Sequence, residues 1–175
     1  MVSMKVTLWM ATSLNGMAAR EDQSEDFLSQ TDWELFVELL GSAESLVWGR
    51  VTHELFIDPV REQFPALPIV LLTRDKERSV DAASLVARSP EDALTKLAAL
   101  GVGSALLAGG PHVNGAFAAA RLIDEVILAI EPVLVPRGIP LLGGDAEDLR
   151  LDLVSVDDQR RPTLRLHYRV LDASS

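Results

Sequence analysis

The sequence has 175 residues, of which 48% are hydrophobic and 24% charged, and its formal net charge at pH 7 is −10. This composition is typical of a soluble globular protein, and we interpret residues 1–175 as a single domain. The negative charge disfavours binding to nucleic acid or to an anionic membrane surface. The chain has no cysteine, which excludes disulfides and thiolate metal sites, and no apolar run near the ~20 residues of a membrane-spanning helix. We expect a cytoplasmic protein.

The N-terminal segment predicts a strand followed by a tight turn. Residues 5–12 are rich in strand-forming side chains, and the turn 13–16 that follows contains Asn15-Gly16, a strong turn signal. The polar stretch 17–29 has no clear period and predicts a surface loop.

A helix is predicted next, because Thr31 and Glu34 have the spacing of a capping box and an apolar face follows them. Gly41 is expected to end this helix. The acids Asp32 and Glu34 stand in its first turn, where acids usually interact only with the helix dipole.

The middle of the chain alternates strands and helices. Ser89-Pro90 is a strong helix start, and the apolar run 105–108 before Gly109-Gly110 predicts a buried strand. The other predicted elements are strands at 45–48, 69–72, 84–87 and 126–130, a short helix from residue 49 to about 56, irregular connections at 59–68 and 132–144, a charged turn at 75–79, and a helix to about 122.

The C-terminal segments 151–156 and 163–170 alternate apolar and polar residues around a turn, which predicts an antiparallel hairpin. The whole pattern predicts an α/β fold of three layers (α/β/α), in which a mostly parallel central sheet carries this C-terminal antiparallel hairpin.

Four segments follow predicted strands directly, at the edge where ligands bind to open α/β sheets. They are residues 13–16, 49–52, 73–74 and 109–110. Each alone is a weak indication of a site, but their shared position on one edge is a stronger one.

The segment Gly49-Arg50-Val51-Thr52 combines close backbone approach, a guanidinium, a hydroxyl and a helix N-terminus. These groups suit a pyrophosphate, although an ordinary turn with a solvent-exposed arginine has the same residues.

Thr73 and Arg74 suit a peripheral phosphate such as the 2′-phosphate of NADP, and the alternative is an arginine that pairs with Asp75 or Glu77. The turn Gly109-Gly110 precedes a helix and suits a phosphate-bearing cofactor, or it is a plain connection.

In order and spacing, these motifs resemble those of the dihydrofolate reductase superfamily, and most of all the reductase domain of the bifunctional riboflavin-biosynthesis deaminase-reductase. The resemblance covers nearly the whole chain. It rests on Ser13-Leu14-Asn15-Gly16, Trp48-Gly49-Arg50-Val51-Thr52, Leu72-Thr73-Arg74, Ala108-Gly109-Gly110, Leu122-Ile123-Asp124-Glu125, Glu131-Pro132-Val133 and Gly138-Ile139-Pro140-Leu141.

The resemblance implies a dihydrofolate reductase-like fold, the cofactor NADPH, a homodimer, and a reductase domain without a deaminase domain. It implies that Gly49, Arg50, Val51 and Thr52 bind the pyrophosphate region and that Thr73 and Arg74 bind the 2′-phosphate. It further implies that residues 109–114, including Gly109, Gly110, Val113 and Asn114, border the pyrophosphate and the nicotinamide.

Two candidate catalytic residues follow from the resemblance. Asn15 stands where the family usually has Asp, which replaces a carboxylate with a neutral amide. Asp32, followed one turn later by Phe36, has the spacing of the helix acid of dihydrofolate reductases, without their proline-rich signature. The expected reaction is hydride transfer from NADPH to a pyrimidine-type small molecule, with water or Asp32 supplying the proton. A pterin, folate or other carbonyl substrate, and a catalytically silent nucleotide-binding dimer, remain alternatives.

Overall fold

The computed structural model describes residues 4–75, 84–144 and 146–171. Strands and helices alternate along much of the chain, as the apolar runs predicted. The elements are β1 (Lys5–Ser13), β2 (Met17–Arg20), α1 (Gln30–Ser42), β3 (Leu46–Gly49), α2 (Arg50–Gln63), β4 (Ile69–Leu72), β5 (Ser84–Ala87), α3 (Pro90–Ala99), β6 (Ser104–Leu107), α4 (Pro111–Ala119), β7 (Glu125–Glu131), β8 (Gly138–Pro140), β9 (Leu151–Asp157) and β10 (Leu164–Val170).

Eight of these strands form one central sheet in the order β5-β4-β3-β6-β1-β7-β10-β9. The six strands from β5 to β7 in this order are parallel, and β10 and β9 are antiparallel to their neighbours. The predicted mostly parallel sheet with a C-terminal antiparallel hairpin is confirmed.

Helices cover both faces of the sheet, which makes the three layers. On one face α3 and α4 pack through Leu97 and Phe117 against β1, β3 and β6. On the other face α1 and α2 pack through Leu35, Leu40 and Val60. These side chains are at most 1% exposed, so each helix contributes an apolar stripe to a separate core layer.

Two predicted loops are wrong in part, because each contains a strand. Met17–Arg20 (β2) pairs antiparallel with Gly138–Pro140 (β8) in a two-stranded ribbon. The pairing joins segments about 120 residues apart in the sequence, so no local pattern reveals it. Ala18 and Ala19, expected in a surface loop, are buried.

Both helix ends of α1 differ from the prediction. The helix begins at Gln30 with Ser29 as its N-cap, and Asp32 rather than Glu34 is its third residue. The predicted capping box of Thr31 and Glu34 is therefore wrong by two positions. Gly41 does not end the helix, because Ala43 is the C-cap and its N–H donates to the carbonyls of the last turn.

Helix α2 is a full turn or more longer than predicted. It extends to Gln63 and contains Pro59. Proline removes one helical hydrogen bond and usually ends or kinks a helix, but the burial of Val60 beneath the sheet stabilises the continuation. By contrast, the predicted helix start at Ser89-Pro90 is confirmed, since the Ser89 side chain accepts a hydrogen bond from the Asp92 N–H. Most of the predicted turn at 75–79 lies outside the described residues.

Candidate active site

A cavity of about 520 Å³ opens where β1, β3 and β6 end. Its wall also includes the N-terminal parts of α1, α2 and α4 and the β2–β8 ribbon. The lining residues are Trp9, Met10, Ala11, Ala18, Ala19, Gln23, Glu25, Leu28, Ser29, Asp32, Trp33, Phe36, Trp48, Val51, Thr52, Leu55, Phe56, Ala108, Gly110, Pro111, His112 and Ile139. The cavity thus lies at the sheet edge that the strand order predicted.

Two helix N-termini meet at one side of this cavity. Helix α2 begins after Gly49 and helix α4 after Gly110, and neither N-cap has a side chain to satisfy the first N–H groups. Neither helix has an acid in its first turn. The Gly49 N–H donates to the Gly109 carbonyl over 2.7 Å, which holds the two turns together. This side therefore presents unpaired N–H groups and two positive dipole ends.

Two of the glycines at this junction leave little room for a side chain. A Cβ at Gly49 would lie 2.9 Å from Cγ2 of Val113, and a Cβ at Gly109 would lie 3.0 Å from Sδ of Met10, whereas a Cβ at Gly110 would meet only Oγ1 of Thr52 at 3.9 Å. Gly109 has a φ of +81°, which favours glycine. A ligand can therefore contact the backbone directly here, and the cradle fits a pyrophosphate.

Among the predicted phosphate-binding residues, Val51, Thr52 and Gly110 line the cavity, whereas Arg50, Thr73 and Arg74 do not. Arg50, the first residue of α2, forms an ion pair of 3.0 Å with Glu54 one turn later. Thr73 and Arg74 follow β4, next to the end of β3. Arg74 is exposed and has no hydrogen bond or ion pair with any residue in the described ranges, Asp75 included, whereas Glu77, the other partner of the predicted alternative, lies outside the described residues.

Arg88 also contributes to this edge of the sheet, and no motif in the sequence predicts that role. Its guanidinium donates to the backbone carbonyls of Thr73 and Asp75, and the Thr73 N–H donates to the Ala87 carbonyl. These bonds hold the turn that carries Arg74. No local signal marks Arg88, because its partners belong to the neighbouring strand.

The opposite side of the cavity contains a buried acid. Asp32 is 4% exposed, its Oδ2 accepts a hydrogen bond from the Ser29 N–H (3.1 Å), and its Oδ1 has no partner among the described residues. Burial, and next the adjacent Glu131 carboxyl group, raise the pKa of Asp32 from 3.8 to about 7. Asp32 can therefore hold or release a proton at neutral pH.

Two further acids, Glu131 and Glu25, surround Asp32. Glu131 ends β7, and its Oε1 accepts hydrogen bonds from the hydroxyls of Ser29 (2.6 Å) and Thr163 (2.8 Å). Glu25 precedes α1, and burial raises the pKa of its carboxyl group. In the sequence, Glu131 belongs to a family motif and Glu25 to no motif, and their proximity to Asp32 has no local signal because the three acids meet only through tertiary structure.

Asn15 and Asn114 hold loops rather than line the cavity. The Asn15 amide donates to the Val135 carbonyl and accepts from the Val135 N–H and the Ser13 hydroxyl, at 2.8 to 3.0 Å. It thereby joins the turn after β1 to the loop after β7. Asn114, fully buried in α4, donates to the Leu141 carbonyl over 3.0 Å.

The histidines do not form a metal site. His53 is buried and its Nδ1 accepts a hydrogen bond from Nε1 of Trp48 over 2.9 Å, while His167 lies 3.1 Å from Glu125 on the far part of the sheet. In the parts of the chain that the structure describes, no group of three metal-ligating side chains occurs. Nor does any helix there combine the length and apolarity that a membrane crossing requires.

Comparison with known proteins gives a consistent result. The sequence profile of the RibD C-terminal domain matches residues 4–161. The uncharacterized protein YwjB of Bacillus subtilis (strain 168) is 27% identical over 173 residues, which cover 94% of this chain and 97% of that protein.

Solved structures share the fold at lower identity. A pyrimidine reductase-like protein from Corynebacterium diphtheriae is 20% identical with a TM-score of 0.77, over 98% of this chain and 93% of that one. A diaminohydroxyphosphoribosylaminopyrimidine deaminase/5-amino-6-(5-phosphoribosylamino)uracil reductase from Thermotoga maritima is 16% identical with a TM-score of 0.75, over 97% of this chain and 57% of that one.

Proposed function

This chain belongs to the family of RibD C-terminal domains, and from that premise we propose that it is an NADPH-dependent reductase acting on a pyrimidine-type small molecule. The reaction class is that of 5-amino-6-(5-phosphoribosylamino)uracil reductase. The observation that carries the proposal is the junction of two uncapped helix N-termini at Gly49 and Gly110, beside a cavity with a buried acid.

The junction supports pyrophosphate binding through backbone groups. In this proposal Gly49, Gly109 and Gly110 contact the pyrophosphate with no intervening side chain. The first N–H groups of α2 donate to it, and so do the N–H groups of α4 that follow Pro111, which itself has none. Thr52 contributes a hydroxyl and Val51 an apolar wall. Among the other predicted residues, Arg50 adds positive charge at the start of α2, and Val113 and Asn114 fix the position of the turn from within α4.

Arg74 and Thr73 would bind the 2′-phosphate. The guanidinium is exposed on the strand neighbouring β3, and it has no partner within the described ranges that a phosphate would need to displace. An arginine forms bidentate hydrogen bonds with a phosphate, which makes this residue the expected origin of a preference for NADPH over NADH.

Asp32 would supply the proton of the reduction. When bound, NADPH supplies a hydride to a carbon of the substrate, and the substrate nitrogen or oxygen at the other end of the reduced bond takes a proton. Asp32 has a pKa of about 7 and belongs to the cavity wall. These are the properties of a general acid near neutral pH. Asn15 would act by positioning, because its amide holds the loop that borders the cavity.

The cofactor assignment is tested by substituting Arg74. We expect Arg74→Ala to weaken NADPH binding by about tenfold or more, which is the loss of a charge-assisted contact, and to leave NADH binding nearly unchanged. Arg169→Ala, at the opposite end of the sheet, is the matched control. Titration of the intrinsic tryptophan fluorescence with each nucleotide measures both affinities. An equal loss for NADPH and NADH would contradict the 2′-phosphate assignment, and no binding of either nucleotide would contradict the cofactor.

A pterin is the second candidate substrate. The buried acid on α1 lies among aromatic rings, since the Trp33 and Phe56 rings stack at 6.1 Å with an interplanar angle of 25°. A bicyclic ring can pack against such an aromatic surface. NADPH oxidation assayed with pyrimidine and pterin substrates separates the two, and binding without turnover of either indicates a silent nucleotide-binding protein.

We also propose that the protein forms a homodimer through its C-terminal hairpin. Strand β9 is an edge strand, and its register places Leu151 and Leu153 opposite Val170 and Tyr168. Leu153 is 52% exposed and Val156 is 54% exposed. A second copy of the chain that packs on this apolar edge would remove it from water. Exposed apolar patches of this kind usually serve as protein–protein interfaces.

A further inference from the structure

The half of the cavity away from the glycine turns has acidic but no basic side chains. We call it the substrate half, and it is formed by Trp9, Glu25, Leu28, Asp32, Trp33 and Phe56. Considering every cavity-lining residue in the described part of the chain, none is a lysine or an arginine. The charged groups of the substrate half are therefore two carboxyl groups.

The nearest arginine in the sequence is already engaged. Arg20 ends β2, its Nε lies 2.5 Å from Oδ1 of Asp26, and its guanidinium lies over the ring of Phe27 at 5.7 Å. Arg20 does not line the cavity. The charge of Arg20, which follows Ala18 and Ala19 of the cavity wall, is thus already paired with a carboxylate outside the cavity.

The N-terminus of α1 does not supply an anion site either. The Ser29 N–H, which would face an anion there, donates to Oδ2 of Asp32, and the Ser29 hydroxyl donates to Glu131. Two donors of the N-cap residue are therefore already paired with the protein's own acids, and Asp32 places a carboxyl group in the first turn of the helix. This differs from α2 and α4, whose N-termini have no acid in the first turn.

A phosphate in the substrate half would meet carboxyl groups and no cation. Phosphates bind where arginine, lysine or unpaired backbone N–H groups surround them. Burial raises the pKa of Glu25, and burial followed by the carboxyl groups of Glu131 and Glu25 raises that of Asp32, so this half already disfavours negative charge. A doubly negative phosphate would enter a partly desolvated site without a counter-charge.

The walls of the same half suit a flat, uncharged ring. Trp33 packs at 5.6 Å against Phe36 and stacks on Phe56, and Trp9 and Leu28 complete an apolar surface. The carboxyl groups of Asp32 and Glu25 belong to the same cavity wall. The site therefore offers hydrogen-bond acceptors at the edge of a planar slot.

From these features we propose that the substrate half selects an unphosphorylated planar heterocycle and rejects a substrate that carries a phosphate, with Glu25 as the specificity-determining residue. The inference rests on the proposed reductase function and narrows its substrate class. It separates this chain from an enzyme that reduces a phosphoribosylaminopyrimidine, although the two share a fold.

A matched pair of ligands tests the proposal. The pair is 5-amino-6-(5-phosphoribosylamino)uracil and the same compound after phosphatase treatment, and 7,8-dihydropterin is a second unphosphorylated probe. Each is titrated against the full chain with saturating NADP⁺, which prevents turnover, and without nucleotide, using the fluorescence of the tryptophans in the cavity wall. NADPH and NADP⁺ binding are measured first and separately.

We expect the unphosphorylated pyrimidine to bind at least about tenfold more tightly than the phosphorylated one. Glu25→Lys should reverse this order, and Glu25→Gln should reduce the difference. Glu21→Lys, with the same charge change at an exposed site outside the cavity, should leave the ratio unchanged. Circular dichroism of each variant identifies any that fails to fold.

The outcomes of the ligand-pair titration are distinct from those of the nucleotide titration that tests the cofactor. Equal or tighter binding of the phosphorylated pyrimidine overturns the substrate inference. A ratio of the two affinities that neither Glu25→Lys nor Glu25→Gln changes also overturns it. Binding of no unphosphorylated probe overturns it as well. If neither NADPH nor NADP⁺ binds, the reductase proposal fails, while the ligand pair without nucleotide still decides the selectivity.

Discussion

The substitution Asp32→Asn should increase stability and decrease activity, each with a characteristic pH dependence. The native state holds the Asp32 proton with a pKa of about 7, whereas an ordinary aspartate has a pKa of 3.8. Between these values the native state binds more protons than the unfolded state, so the free energy of unfolding falls as the pH rises. This contribution to stability is fully present below pH 4 and lost above pH 7.

The size of the effect follows from the two pKa values. Each unit corresponds to about 1.4 kcal/mol, so the rise from 3.8 to about 7 is equivalent to at most about 4 kcal/mol. Asparagine is neutral at every pH, and its amide oxygen can accept the same hydrogen bond from the Ser29 N–H. The variant should therefore match the wild type near pH 4 and exceed it by up to about 4 kcal/mol near pH 8.

Urea denaturation from pH 4 to 8 measures this difference, and NADPH oxidation measures the activity. Turnover should fall by about 10² to 10⁴, the usual contribution of a general acid. Glu34→Gln is the matched control, because Glu34 is an exposed acid in the same helix and should change neither quantity. A stability difference that stays constant from pH 4 to 8 would refute the assigned protonation of Asp32.

Three further predictions concern close contacts and the exposed sheet edge. Gly49→Ala, whose Cβ would lie 2.9 Å from a Val113 methyl group, should lower the unfolding free energy by about 1–3 kcal/mol and weaken NADPH binding. At Gly41 no atom lies within 4 Å of the added Cβ, so Gly41→Ala should instead raise the free energy of unfolding by up to about 1 kcal/mol. Similar urea midpoints for Gly49→Ala and Gly41→Ala would contradict both expectations. Gly115→Ala would place a Cβ 1.8 Å from the Gly143 carbonyl oxygen, so its melting temperature should fall further than that of Gly49→Ala. A melting temperature equal to that of the wild type would be inconsistent with this contact. Leu153→Asp should convert a dimer into a monomer in sedimentation velocity, and an unchanged sedimentation coefficient would exclude the hairpin as the interface.

The strands were predictable because their residues carry a local signal. Short apolar runs such as Ile69–Leu72 and Ser104–Leu107 are buried on both faces of a parallel sheet, so their sequences are almost continuously hydrophobic. The alternating pattern of the terminal hairpin is equally local. The β2–β8 pairing was not predictable, since Met17–Arg20 and Gly138–Pro140 have little strand character and stabilise each other only in the folded chain.

The candidate site was predictable to different extents on its two sides. The glycine turns follow strands directly, so connectivity alone assigns Gly49, Gly109 and Gly110 to the same edge of the sheet. Asp32 was indicated by its spacing to Phe36, but its protonation was not. That property depends on Glu131 and Glu25, which approach from other elements, and on burial beneath the cavity wall.

The β2–β8 ribbon also determines how a molecule reaches the cavity. The backbone bonds Leu14 N–H to Val133 and Leu141 N–H to Gly16, together with the Asn15 amide, tie the ribbon to its flanking turns. Ala18, Ala19 and Ile139 of the ribbon line the cavity on one side, whereas Gln23 and Leu55, which also line it, are exposed. We therefore expect molecules to enter on the flank of Gln23 and Leu55. Bulky substituents of an inhibitor would be tolerated on that flank and would clash at the ribbon.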